Sequence, residues 1–472
     1  MSGLGPSTHP DGMACCIPIQ RPFPSPLRLC LAGAVFGVTA FAQEPATPPS
    51  AQDPALLRRI EALEKEVSQL RTRGEATAGT AKVTGAAAEK AETHYPDVKL
   101  TGFFHLDAGW YSQDADSKAT LGDIDDGLGF RRARLAATGK VSEDISFIME
   151  FDAAQAQARF VDVWMQIDKS PVGKIRIGRF RQPFGMDELT SIRELPFLER
   201  YQGFALGPFR QTGVQLADTA MGERMTWAVS GYRFQSDNFG DVFSDSGGYG
   251  MAARVTGLAL EDGDTVLHLG GDYSHNDPGL GAVRFASQNE FFVGQNPTGG
   301  PGGLVPSSLI SVPFFVDTGV LAADHTDLWN FEAAAGFGSV VLQAEARFAR
   351  VDMGGTAETF PAVYGQARWV VTGEKIPYVK NGGVFGRVKP TNPVASGGAG
   401  AIELAARVSY MNLDGAYNTG PGRSLTALTV GTSWYLSDRA KLQLNWIHDE
   451  LDDKTLGLSR SDTFALRAQI DF

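Results

Sequence analysis

From about residue 98 to Phe472 the chain alternates apolar and polar residues with a period of two, and no stretch there holds eighteen consecutive apolar residues. Successive side chains of a strand point to opposite faces, so this period specifies strands with one apolar and one polar face. In ISFIMEF, Phe147, Met149 and Phe151 oppose Ser146 and Glu150, and in VDVWMQID, Val161, Val163, Met165 and Ile167 oppose Asp162, Gln166 and Asp168. Leu342, Ala344, Ala346 and Phe348 oppose Gln343, Glu345 and Arg347 in VLQAEARF. IELAARVSY and FALRAQIDF repeat the pattern up to the last residue.

Strands are expected near 98–111, 128–139, 144–154, 158–168, 173–181, 210–219, 223–234, 248–259, 264–275, 326–337, 339–351, 360–372, 400–412, 424–436, 440–450 and 461–472. Short turns (KVSE, KSPV, AMG, EDGD, FGS, SDRA) alternate with longer polar or Gly-rich loops, as in up-and-down strands that cross a membrane between a short-turn rim and a long-loop rim. The predicted fold is therefore all-β, a sixteen-stranded antiparallel transmembrane barrel over 98–472. Residues 373–399 break the rhythm, being long where a short turn is due, which leaves room for a miscounted strand. Trp110, Tyr111, Trp434, Tyr435 and Trp446 fall near strand ends, where interfacial girdles sit. A soluble β-sandwich would need neither this even series of long strands nor an export signal.

Such a signal is present. Arg21 and Arg28 precede the apolar run of LRLCLAGAVFGVTAFA, and Ala40-Phe41-Ala42 forms a small-x-small cleavage site, so residues 1–42 read as a signal peptide, with Met13 an alternative start. Cys15, Cys16 and Cys30 all lie within it, which removes disulfides and thiolate chemistry from the mature chain. Loss of two arginines and one aspartate takes the net charge from −12 to −13, the wrong sign for a nucleic-acid partner. A Pro-rich linker, 43–52, follows. In 53–73, Leu56, Ile60, Leu63, Val67 and Leu70 recur at intervals of 4, 3, 4 and 3, the seam of a short periplasmic coiled coil whose partners would be copies of itself. A second linker spans 74–97.

A polar face on sixteen strands encloses a lumen wide enough for an aqueous channel unless something fills it. The segment 182–209, QPFGMDELTSIRELPFLERYQGFALGPF, is the expected filler, with paired charges and breakers at Pro183, Pro196 and Pro208. The Gly/Pro-rich stretch Asn276 to Thr326 reads as more exposed. By parity the inward candidates for an anion path are Arg132, Arg134, Arg176, Arg254, Arg347, Arg368, Arg407 and Arg467, with Arg131 beside Arg132 at the start of the second strand and Arg193 and Arg200 in the filler. Arginine suits oxyanions because its planar fork donates to two oxygens at once and stays charged. Glu150, Asp162, Glu345 and Glu403 share that face and offer the plainer role of wall ion pairs. No zinc-type histidine spacing, G-x-S-x-G or P-loop run occurs, so neither a metal, a cofactor nor an enzyme activity is expected.

FRRARLAATGKVSEDISFIMEFD, VDVWMQID, KIRIGRFRQPFGMDELTSIRELPFLER and GVQL, then VVTGEK, GVFGRVKPTNPV, AIELAARVSYMNLD and WYLSDRAKLQLNWIHDE before the terminal Phe472, occur in this order. From about residue 98 onward the chain resembles the phosphate-selective porin family, the O and P porins of bacterial outer membranes. The resemblance implies a trimeric barrel, a third outer loop folded inward, and passive passage of small anions such as phosphate aided by inward arginines and lysines. The loop departs from a strongly basic pattern, since Asp187, Glu188, Glu194 and Glu199 outnumber Arg193 and Arg200. A general diffusion porin with weak ion preference is the alternative within this class, and a non-conducting outer-membrane tether the alternative outside it.

Overall fold

The computed structural model describes residue 65 and residues 94–154, 158–237, 239–244, 247–291 and 312–472. The signal segment, the first linker, nearly all of the coil and most of the second linker lie outside the described residues. Sixteen long strands follow in chain order: β1 Asp97–Gln113, β2 Gly127–Ser142, β3 Ile145–Asp152, β4 Arg159–Ile167, β5 Lys174–Arg181, β6 Arg210–Ala220, β7 Met225–Arg233 and β8 Tyr249–Asp262. They continue with β9 Thr265–Asp277, β10 His325–Phe337, β11 Val340–Asp352, β12 Ala357–Val370, β13 Ala401–Asn412, β14 Ser424–Tyr435, β15 Ala440–Asp453 and β16 Gly457–Asp471. Each pairs antiparallel with the next, and β1 pairs with β16, Phe103 opposite Asp471, to close the barrel. Closure leaves no edge, which in hydrocarbon is the condition for satisfying every ladder N–H and C=O. The count equals the expected one and every expected strand overlaps an observed one.

The two faces sort as the alternation requires. Val408 and Phe464 are 55% and 50% exposed on the outer face, whereas Arg407 and Arg467 of the same strands are each 2% exposed. Apolar residues outside and buried charges inside are the reverse of a soluble domain and fit a barrel with lipid around it. Trp110 and Trp434 face outward, but their neighbours Tyr111 and Tyr435 cannot share that face: Tyr111 stacks near Phe291 and Tyr435 donates to Glu403 at 2.6 Å, so the girdle loses both tyrosines.

The six turns KVSE, KSPV, AMG, EDGD, FGS and SDRA all lie on the rim that holds the barrel's first and last strand ends, while the opposite rim has the long loops and two further short connections, 353–356 and 454–456. The long connection on the six-turn rim, between β12 and β13, hides no missing strand. It folds back as a small hairpin, Tyr378–Val379 paired with Val384–Phe385, whose Phe385 and Ile376 pack against Met186, Val341 and Val370. The described part of the β9–β10 connection also corrects the expectation of exposure. Phe285, Phe291, Phe315 and Val316 are buried, and Phe291 seats on Gly109, where any Cβ would collide with the ring. A charged residue drives this: buried Glu290 accepts bonds from Arg407 Nε (2.9 Å), Ser409 (2.6 Å) and Thr429 (2.5 Å), which are inward groups of β13 and β14.

Candidate anion path

The segment 182–209 joins β5 to β6 on the long-loop rim and enters the lumen, where most of its residues are buried. Only Met186–Leu189 and Gln202–Leu206 within it are helical, and the rest leaves backbone groups that must find partners. The lumen wall supplies them. Gly185, at φ +74°, donates its N–H to Asp272 at 2.8 Å, and the Asp187 N–H donates to Glu345 at 2.6 Å. Lys441 donates to the Leu195 carbonyl, Ser433 to that of Pro196, Arg407 to that of Glu199, and Arg467 to that of Leu198. Apolar side chains fill the remaining space, Phe184 and Leu206 against Phe360 and Leu425, Leu198 against Ala427 and Ile447. These partners come from β9 to β16, while on the other side Ile192 and Leu195 of the loop pack on Phe103 of β1 and Gln182 accepts from Ser230 of β7.

Toward β2, β4, β5 and β6 a cavity of about 310 Å³ remains. It is lined by Arg131, Arg132 and Arg134 of β2, Arg159 of β4, Arg179 and Arg181 of β5, Arg210 of β6 and Arg200 of the loop, with Glu199 the one carboxylate in its described lining. Arg132 forks onto Glu199 with two bonds of 2.8 Å, and Arg131 approaches the same carboxylate at 3.1 Å. Burial disfavours the charge on Glu199, yet the guanidiniums of Arg131, Arg132 and Arg467 hold its carboxyl well below the usual carboxylate range. Arg134 pairs with Asp152 at 2.9 Å and Glu150 at 3.5 Å, and Arg210 forks onto Asp162 with two bonds of 3.0 Å. Arg179 donates to Ser236 at 2.7 Å, and Arg181 to the carbonyls of Glu188 and Thr190 at 2.7 and 2.9 Å. Neither makes an ion pair among the described residues. Arg200 of the loop reaches Asp187 at 3.9 Å, so eight guanidiniums face five carboxylates, Glu150, Asp152, Asp162, Asp187 and Glu199, an excess of three positive charges.

Local backbone irregularity concentrates these arginines. Opposite His105 and Leu106 the ladder partners are Arg132 and Phe130, so Arg131 is an extra residue, and the bulge lets both Arg131 and Arg132 face the cavity. On β5, strict alternation would place Arg179 and Arg181 on the exposed outer face of Ile177. Gly178, at φ +133°, breaks the alternation and both line the cavity.

The structure therefore brings together Arg131, Arg132, Arg134 and Arg200 of the sequence candidates and adds Arg159, Arg179, Arg181 and Arg210. It places the others elsewhere. Arg176 stacks 4.3 Å from the Trp164 ring and donates to Gln166, and Arg193 stands 5.4 Å from the Phe103 ring, lining a small cleft with Arg387 and Lys441. Arg254 pairs with Glu332 at 2.8 Å, Arg347 with Glu188 at 3.4 Å, Arg368 with Glu403 at 2.5 Å, and Arg407 with Glu290. Arg254, which also reaches the Gly382 and Gly383 carbonyls, Arg347 and Arg407 are buried clamps between wall and inserted segments, as is Arg467, paired with Asp107 and Glu199, whereas Arg368 and Glu403 join two neighbouring strands of the wall. The signal for the missed four was arginine recurring at the loop-side ends of neighbouring strands, in DAAQAQARF, IGRFRQ and GPFR.

A closed barrel with an apolar outer face and a charged, partly filled lumen is a transmembrane channel of the porin class. Residues 98–472 match the phosphate-selective porin O and P family, and the chain belongs to that family. It is an outer-membrane porin. An uncharacterized protein of Caulobacter vibrioides is 25% identical over 366 residues, 74% of this chain and 67% of that one. Among solved structures, the anion-selective porin from Comamonas acidovorans has 14% identity and a TM-score of 0.47, covering 80% of this chain and 99% of that one. The outer membrane channel DcaP of Acinetobacter baumannii has 14% identity and a TM-score of 0.46, covering 80% of this chain and 97% of that one.

Proposed function

We propose that this porin selects small anions, phosphate among them, at the arginine cavity and passes them by passive diffusion, with no chemistry on the solute. The observation that carries the reading is the excess of guanidinium charge in a hollow of about 310 Å³. Like charges held that close repel unless a counter-charge is present, so an entering anion relieves the repulsion, and paired guanidinium forks suit the oxygens of a tetrahedral oxyanion. The five carboxylates paired to these arginines favour a second reading, a pore with weak ion preference.

The partners inferred are small anions, outer-membrane lipid against the apolar band, and two further copies of the chain in a homotrimer. The heptad seam of 53–73 supports assembly beneath the barrel, between linkers 43–52 and 74–97, once residues 1–42 are cleaved on export. Planar-bilayer recording tests the whole reading: a reversal potential displaced toward anion permeation across a salt gradient, with phosphate blocking chloride current, supports it. A reversal potential near zero favours the weakly selective pore, and absence of conductance favours the tether.

A further inference from the structure

Next to the arginine cavity lies a second hollow of about 460 Å³, between the end of the inward loop and the β7–β8 and β9–β10 loops. Ala205 and Phe209 line both hollows, so the two adjoin there. The chemistry changes at that boundary. The only cation in the described lining of the outer hollow is Arg284, and Asp317 already holds it, with Nε at 2.9 Å. Phe209, Phe234, Phe243, Phe285, Val242 and Leu280 give it ring and aliphatic surface, set among neutral polar groups such as Gln235, Ser236, Asn276 and Thr326. Of its two carboxylates, Asp237 is engaged in the loop's own turn, accepting the Phe239 and Asp241 N–H groups.

Phe209 marks the junction and sits at φ +51°, a left-handed conformation that aromatic residues rarely adopt. Its ring meets Phe204 edge-on, centroids 4.9 Å apart, and the Arg210 guanidinium stands 4.9 Å from its centroid. Strained backbone persists where the surroundings over-determine it, typically at ligand clamps. An inorganic anion gains nothing from the phenylalanine surface of this hollow, which offers it neither charge nor hydrogen bonds. A ring carried by the anion would instead bury its surface there while its charged group reaches the arginines.

We propose that the two hollows form one composite site for small organic anions bearing an aromatic ring, the anionic group held by the arginines and the ring by the phenylalanines of the outer hollow. The proposal rests on the arginine cavity being the anion path, and the test separates the two. Chloride current through the full-length porin in planar bilayers is titrated with inorganic phosphate, methyl phosphate and phenyl phosphate. Phenyl phosphate is expected to block at about tenfold lower concentration than methyl phosphate, the scale of burying one ring face. Phe243→Ser, at a freely exposed loop position, and Phe209→Leu should each bring that ratio toward one. Equal block by methyl and phenyl phosphate overturns the composite site and leaves the arginine path standing. A ratio kept in both variants overturns its location. No block by any of the three overturns the arginine path and the composite site with it.

Discussion

Arg387, from the long connection between β12 and β13, donates through Nε to both carboxylate oxygens of Glu194 on the inward loop, at 2.9 and 3.0 Å. A segment entering from the short-turn rim and one entering from the long-loop rim are thereby joined inside the barrel. Arg387 also pairs with Asp471 of β16, and Arg254 of β8 donates to the Gly382 and Gly383 carbonyls at 3.0 and 2.8 Å. The hairpin is thus held at its tip by the wall and beyond its base by the loop.

Arg387→Met should uncouple the two insertions. The pair is only partly buried, so the loss is about 1.5–3 kcal/mol, the range for hydrogen bonds to charged groups. That is enough to loosen a loop and too little to unfold a closed barrel. Single-channel records are expected to show more open-channel noise and a higher mean conductance than the native porin. Unchanged noise would mean that the remaining contacts fix the loop alone.

Arg179 and Arg181 give the cleanest test of selectivity. Neither makes an ion pair among the described residues, so Arg179→Gln with Arg181→Gln removes two positive charges without stranding a carboxylate. The anion-to-cation permeability ratio should fall severalfold while the heat-stability of the folded barrel on gels stays near native. The fall should shrink in concentrated salt, because charges facing a wet lumen are screened over about 10 Å at 0.1 M and about 3 Å at 1 M.

The barrel was legible because a wall with lipid on one side and water on the other writes its period into every strand, as IELAARVSY and FALRAQIDF do. The site was legible only in part, and the reasons are local. A bulge turns Arg131 inward and a positive-φ glycine turns Arg179 and Arg181 inward, and neither event has a parity signature. The burial of the β9–β10 connection depends on Glu290 meeting Arg407, which lies 117 positions on in sequence. Composition marks such a segment as an exposed Gly/Pro loop because the partner that buries it is remote.

Arg132 and Arg134 make a contrasting pair of substitutions. Replacing both by Ala removes two charges from the cavity and also takes the bidentate partner from Glu199 and the main partner from Asp152. Glu199 keeps Arg131 and Arg467, and Asp152 keeps Arg159 at 3.6 Å, so the variant should assemble, with anion preference lost and thermal stability lowered. Neutralising Glu199 on the same background, Glu199→Gln, removes one of the carboxylates left under-paired and should recover part of the stability and part of the anion preference. Stability unaffected by the double substitution would mean that the carboxylates relax toward other partners at no cost.

The last prediction concerns the fifth long-rim loop, whose inward fold hangs on one buried pair. Arg407 and Glu290 are both essentially sealed from solvent, and Arg407 also stacks 4.4 Å from the Phe197 ring of the inward loop. Removing one member leaves the other charged, buried and alone, at a cost of about 3–5 kcal/mol, whereas replacing both by apolar residues of similar volume is often close to neutral. Glu290→Met and Arg407→Met should therefore each destabilise the barrel in heat or denaturant unfolding, with loosening of the β9–β10 loop, while the double variant should recover most of the loss. Limited proteolysis reads the loop directly: cleavage between β9 and β10 should accelerate in each single variant and return toward the native rate in the double. Additive losses in the double variant would show that the two residues act on the loop separately, and no loss in Arg407→Met alone would show that Ser409 and Thr429 suffice to hold Glu290 in the lumen.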